Sequence, residues 1–275
     1  MKHFFTAFAC LMLACVSCTA ADKTRTVSVN SSFDAISVSS VIDVVYTVAP
    51  KVEIKVKAPE AVLDKVVVDV VREGGMSNLQ IGLKGDVRLT GKQSVTVYVK
   101  APAVSGLIAA GASEIKVNSP YAVSKLSLVT MGDSEINLTA LNATSVAANA
   151  TGSSEIKLGD VIAEKVALSG AGASDIVLRS YQGNELAVNA GGSAEVKIKS
   201  LAATSLAVNA SGDSEVKIEG RAAQVAFNAS GSAEIDVADM PANVGAANAS
   251  GASEIKCSVA NLRSNASGTA TIRNK

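Results

Sequence analysis

The chain has 275 residues, 48% of them apolar, with 25 basic and 25 acidic residues and a formal net charge of zero. With no tryptophan and 3% aromatic residues, it offers neither a basic patch nor an aromatic platform, which disfavours nucleic acid as a partner. The single histidine, His3, lies in the N-terminal segment read below as removed, so a Ser-His-Asp triad and a histidine metal site are both excluded from the mature chain.

Residues 1–20 read as an export signal. Met1-Lys2-His3 is a short basic start, residues 4–14 are an apolar run too short to cross a membrane stably, and small residues follow. Val16-Ser17-Cys18 has the form of a bacterial lipobox and predicts lipidation of Cys18, while Leu13-Ala14-Cys15 offers Cys15 as the alternative. Neither carries the usual leucine at its first position. Plain cleavage after Ala20 or Ala21 is the other outcome, since Cys18-Thr19-Ala20 also has the small–x–small form. The expectation is an exported outer-membrane lipoprotein, periplasmic or at the cell surface, touching the membrane only through its lipid. Cys257 then stands alone in the folded part, with no disulfide partner. It occupies a place that other repeats fill with Val, Leu or Ile, so it reads as a small buried hydrophobe.

Residues 26–105 hold β-type segments without a fixed period. Residues 26–29, 33–38, 42–48 and 52–57 alternate and are rich in Val and Ile, with Pro50 and Pro59 as punctuation. Residues 60–65 are the one plausible helical turn. A valine run at 66–71, a Gly74-Gly75 turn and strands near 79–83 and 95–99 follow. We read this region as a β-rich cap and the first irregular coils of the domain that follows, with a separate small β domain as the alternative. Repeat arrays need atypical ends to hide their edges.

Residues 106–275 repeat one phrase. It reads GASEIKV at Gly111, GDSEINL at Gly132, GSSEIKL at Gly152 and GASDIVL at Gly172, and continues at Gly192, Gly212, Gly231 and Gly251 to a degraded GTATIRN at Gly268. The glycines lie 21, 20, 20, 20, 20, 19, 20 and 17 residues apart. That period is too short for helical-hairpin repeats and fits one coil of a β-solenoid. Within each copy the alternation has period two, so Ile115, Ile136, Ile156, Ile176, Val196, Val216, Ile235 and Ile255 should form one buried column. A second alternating run precedes each glycine, as in Leu186 and Val188 or Val225 and Phe227, and the residues between leave room for a third short strand or a loop. The glycines mark tight corners, with positive φ expected at most of them. Stacked about 4.8 Å apart, nine coils would make a rod on the order of 40 Å long.

An exported chain with a valine-rich lead-in and repeated G-[ADS]-[SA]-E-[IV] units resembles the auto-transporter adhesin "head GIN" domain family over roughly residues 33–255. The resemblance implies an all-β, right-handed parallel β-helix and no known reaction. The function it suggests is that of a non-enzymatic cell-envelope adhesin or scaffold presenting a flat repeat face to an unidentified surface ligand, protein or glycan. A carbohydrate-binding or polysaccharide-cleaving β-helix is the alternative.

The candidate ladder for that face is a carboxylate column of Glu114, Glu135, Glu155, Asp175, Glu195, Glu215, Glu234 and Glu254. Stacked like charges repel, but Lys116, Lys157, Lys197, Lys217 and Lys256 lie two residues along the same strands, and a solvated, compensated face is the expectation. The sharper alternative is calcium, which takes carboxylate oxygens. If calcium binds, the site expected is around Asp236, where Glu234 and Asp239 add negative charge. No cofactor, resident metal or catalytic residue is expected. A second column, Asn149, Asn189, Asn209, Asn228, Asn248 and Asn265, predicts an amide ladder.

Overall fold

The computed structural model describes residues 22–29, 31–73, 75–85 and 94–275. Cys15 and Cys18 lie outside the described residues. The N-terminal strands are β1 (Asp22–Val27), β2 (Ala35–Val38), β3 (Ile42–Val48) and β4 (Glu53–Pro59); then come a single helical turn α1 (Glu60–Leu63), β5 (Val66–Glu73), β6 (Met76–Leu83) and β7 (Val95–Ala101). The repeat region runs through β8 (Gly106–Gly111), β9 (Glu114–Val117), β10 (Tyr121–Gly132), β11 (Glu135–Gly152), β12 (Glu155–Gly172) and β13 (Asp175–Gly192). It continues in β14 (Glu195–Gly212), β15 (Glu215–Gly231), β16 (Glu234–Ala249), β17 (Glu254–Ala266) and β18 (Thr271–Asn274).

The repeats form a β-solenoid. Each long strand is a whole coil that pairs in parallel with the next, glycine on glycine and carboxylate on carboxylate: Gly132 faces Gly152, Glu135 faces Glu155, and Ile136 faces Ile156. Three runs make up a coil. In β12 the first run carries Ile156 and Leu158 inward, the second Val161 and Ala163, and the third Val166 and Leu168, all buried. The stretch between the two clear alternating runs is therefore a third strand rather than a loop. The predicted column from Ile115 to Ile255 is 0% exposed at all eight positions. Register slips occur in the second run between β14 and β15 and on to β17, where the repeat shortens to 19 residues between Gly212 and Gly231.

The corners are built by backbone chemistry. Gly152, Gly192, Gly212, Gly231 and Gly251 have φ of 84, 74, 77, 75 and 78°, as the sequence predicts. An added Cβ at each would stand 2.7–3.0 Å from the carbonyl oxygen of the corner residue one coil earlier. That carbonyl also accepts the N–H that follows the next corner, as in Ser153 N to Gly132 O at 2.9 Å. Both the positive φ and the close stacking exclude a side chain. Ser40, with φ 74°, is the one non-glycine corner among the described residues.

The N-terminal strands do not stack in chain order. β2 and β3 pair in parallel with β8 and β9 on one side and with β6 and β7 on the other. Residues 35–48 thus lie between 76–101 and 106–117. The chain leaves the stack after β3, returns below it, and then passes over to continue upward. Antiparallel strands line the far edge: β4 on β7, β1 on β4, and β5 on β6. Tyr46 and Tyr121 fill the junction, ring centroids 5.9 Å apart and edge to face, with both hydroxyls bonded to backbone near Pro102 and Val104. Burial drives the Tyr121 hydroxyl's pKa well above the ordinary phenol value.

Candidate functional site: the charged ladder of the first face

The first run of every coil turns its even-register side chains inward and its odd-register side chains outward, so the sequence repeat becomes a surface column. All eight predicted carboxylates stand in unbroken register, from Glu114 against Glu135 to Glu234 against Glu254. The column is longer than the repeat suggested. Asp43 on β3 pairs with Glu114 and extends it to nine, with Thr96 beyond it at one end and Thr271 at the other. Asp43-Val44-Val45-Tyr46 has the alternation of Glu114-Ile115-Lys116-Val117, which was the available signal; the separation of 71 positions hid it.

Most of these carboxylates are half-buried rather than fully in water, with Glu114 22% and Glu155 31% exposed at the side chain, while Asp175 and Glu215 are exposed. Their neighbours explain why the column holds. Lys157 Nζ donates to Glu155 at 2.7 Å on its own strand and to Glu135 at 3.1 Å one coil earlier. Lys256 spans Glu234 at 2.6 Å and Glu254 at 3.5 Å in the same way. Lys116 pairs with Glu114, Lys197 with Glu195, and Arg273 with Glu254. A lysine therefore serves two coils, and the missing copies of the lysine column are partly covered by their neighbours. Hydrogen bonds donated to these carboxylates raise the pKa of Lys116, Lys157, Lys197 and Lys256. On Asp43 burial first, and the Glu114 charge second, raise the pKa from the ordinary aspartate value, with Lys116 opposing.

The surroundings of Asp236 correct the reading of that position as the most negative point. Its register partners are Lys217 and Lys256, one on each side, and its Oδ1 accepts from Ala238 N at 3.2 Å. Asp239 is held by Lys275 at 3.2 Å. Within the column the carboxylates without an ion-pair partner among the described residues are Asp43, Asp175 and Glu215; Asp236, beside the column, has lysines as register neighbours but forms no ion pair either. Among the described residues no three acidic, histidine or cysteine side chains are grouped as a metal site would require.

The corner serines face inward. Ser113, Ser134, Ser154, Ser174, Ser214 and Ser253 are at most 2% exposed. All but Ser174, whose Oγ is buried without a hydrogen-bond partner, brace the corner: Ser134 Oγ donates to Ala109 O of the previous coil at 2.8 Å and accepts from Met131 N at 3.0 Å. The amide ladder forms from Asn189 to Asn248, while Asn265, in register with Asn248, adds no bond to it. Asn209 donates to Asn189 at 3.0 Å, Asn228 to Asn209 at 2.9 Å and Asn248 to Asn228 at 3.0 Å. Ser169 occupies the rung between Asn149 and Asn189. Cys257 is 0% exposed and burial raises its thiol pKa.

With this geometry in view, the chain matches the family described as "Putative auto-transporter adhesin, head GIN domain" over residues 32–176 and again over 161–275. The chain belongs to this head GIN family. Solved structures share the fold at low identity. A Parabacteroides distasonis protein described as a putative adhesin aligns with TM-score 0.70 and 17% identity over 94% of this chain and 98% of its own. A second from the same species, described as a putative lipid binding protein, gives 0.69 and 17% over the same shares. A putative adhesin from Parabacteroides merdae gives 0.67 and 16%, over 94% and 97%. No curated protein matches. The two overlapping head GIN matches follow the internal repetition: one spans the irregular N-terminal coils and the first repeats, the other the regular array.

Proposed function

We propose that this chain is a non-enzymatic adhesin or scaffold of the bacterial cell envelope, exported and anchored through a lipid on Cys18. The observation that carries the reading is the continuous register of the solenoid, which turns a 20-residue repeat into long flat faces of identical side chains. Such a surface suits many weak, repeated contacts with an extended partner better than one enclosed reaction centre. Family membership supports the adhesive role. The charged ladder serves it as a solubilising face: its ion pairs are largely exposed at the lysine end and individually contribute little to stability. The test is an array of glycans and matrix proteins probed with the exported protein. Saturable binding to one ligand class, with no change in that ligand, is expected. Release of reducing ends or unsaturated sugars from any polysaccharide on the array would replace this reading with the enzymatic one. Metabolic labelling with a fatty acid tests the anchor. Label lost in Cys18→Ala supports it, and label retained there but lost in Cys15→Ala moves it to Cys15.

A further inference from the structure

We propose that the outer face of the third run binds a second copy of this chain, forming a parallel two-fold dimer about an axis along the solenoid. This goes beyond the adhesive reading and uses a different face from the charged ladder.

Three columns of outward side chains make up this face. In consecutive coils they read Ala187, Asn189, Gly191, then Ala207, Asn209, Ser211, then Ala226, Asn228, Ser230. From residue 106 to residue 250 no outward position of these columns carries a charge, although 50 of the 275 residues are charged and outward positions are where charges normally collect. Charge returns at the borders. Arg263 closes the C-terminal end, and the Lys165–Glu185 pair at 2.9 Å lines one side. The charged first face lies around the glycine corner on the other. A charge-free centre inside a charged rim is the arrangement of a protein interface.

The relief is self-complementary. The asparagine column is a ridge. On one side runs a groove of about 540 Å³ floored by Ala147, Ala167, Ala187, Ala207 and Ala226. On the other runs a shallower one of 390 Å³ beside Ser211, Ser230 and Ser250. A two-fold axis along the solenoid, between ridge and alanine groove, seats each ridge in the other copy's groove. It also keeps coil heights matched. That matters at the N-terminal end of the face, where Ile108 and Val129 replace the amides and Met131, 43% exposed, stands in the next column in register with Thr151. With Val67, 42% exposed, Ile108 and Met131 line a further groove of 490 Å³. A parallel pair sets apolar end on apolar end. An antiparallel pair would set ridge on ridge and apolar side chains on amides, leaving polar groups without partners.

Size and chemistry agree. Six residue steps by eight coils give roughly 20 by 38 Å, about 750 Å² per copy, against the roughly 800 Å² per partner of a stable interface. Each laddered amide uses one N–H and one lone pair on its neighbours, which leaves one of each for a partner. Small side chains allow two flat sheets to approach closely. Sugar rings, the competing occupant, are held on aromatic faces. The exposed tyrosine, Tyr98, stands instead on the first face beside Val45.

Sedimentation velocity of the exported protein tests this. A concentration-dependent dimer is expected. Ala187→Lys and Asn189→Glu should each weaken it at least tenfold, with the circular dichroism spectrum unchanged because both side chains lie outside the core. Mixing the two variants should restore the dimer, since only a parallel axis brings position 187 of one copy against position 189 of the other. A monomer at every concentration, a dimer indifferent to these changes, or a pair of variants that fails to rescue would each overturn the proposal. So would a monomer whose glycan binding is lost in Ala187→Lys, which would assign the face to sugar.

Discussion

Ser40 and the corner glycines occupy the same backbone conformation for different net effects. At Gly192 a Cβ would meet the Gly172 carbonyl oxygen at 3.0 Å in addition to the positive φ of 74°. Ser40 carries its positive φ of 74° with a side chain already in place, and β6, its neighbour on that side, ends at Leu83, with Lys84 N bonded to Lys65 O. The φ penalty is the cost assigned to it. Gly192→Ala should therefore lower stability by about 1–3 kcal/mol, and Ser40→Gly should raise it by about 0.5–1 kcal/mol. Denaturant midpoints measure both, and equal and opposite shifts of the same size would show that the carbonyl contact adds nothing. The core column offers a plainer case. Ile156→Ala removes a fully buried side chain with neighbours above and below and should cost about 2–5 kcal/mol. Asp43 gives the pH-dependent test. Its raised pKa means the folded protein holds the proton more tightly than the unfolded chain, so this contribution is present in acid and is lost as pH rises through the carboxylate range. Asp43→Asn should raise the melting temperature at pH 7, and the gain should vanish at a pH below the ordinary aspartate value. A gain that persists in acid would assign the effect to packing.

At the scale of the strand runs, the amide ladder separates stacking from bonding. Asn209 donates to one neighbour and accepts from another, whereas Asn149 faces Ser169. Asn209→Ala should cost about 0.5–1.5 kcal/mol, Asn149→Ala close to nothing, and Ser169→Asn should join the ladder and stabilise. If the two alanine variants melt alike, the ladder is ornament to the fold. These runs also show what the sequence disclosed. Ile115 through Ile255 announced the coil, its inward column and its corners, because period two and a repeated glycine are local signals. The third strand was half visible: Val161, Tyr181 and Leu201 stack as one buried column, but each stands in a different local phrase. Tyr181 is accommodated by Gly183, where a Cβ would lie 2.4 Å from the tyrosine oxygen, and burial pushes that hydroxyl's pKa up to about 12. Nothing in a single repeat signals such a pair. The stacking order of β2, β3, β6 and β7 was not legible at all, since parallel pairing between segments tens of residues apart is decided by which edges meet, and several valine-rich segments satisfy the pattern equally well. The same distance concealed Asp43 from the carboxylate column.

At the scale of the molecule, the solenoid predicts that its coils are interchangeable units. From β11 to β14 the register runs glycine to glycine with the same period, and each coil bonds only to the one before and the one after. Removing residues 173–192, one whole coil, joins Gly172 to Ser193, which takes the place of Ala173 because Gly172 and Gly192 are register partners; Ser193 N already bonds to Gly172 O at 2.7 Å. Ile156 would then stack on Val196, Leu158 on Ile198, and the core column would close with no inward polar group. In a nearest-neighbour array such a deletion loses one coil and one interface while leaving the others intact. The shortened protein should be folded, with an unchanged circular dichroism shape and a modestly lower melting temperature. Removing residues 183–192 deletes half a coil instead. It would set the third run of one coil against the first run of the next, bring the charged column over the alanine groove, and should abolish folding. Equal behaviour of the two deletions, whether both fold or both fail, would contradict the repeat as the unit of this structure.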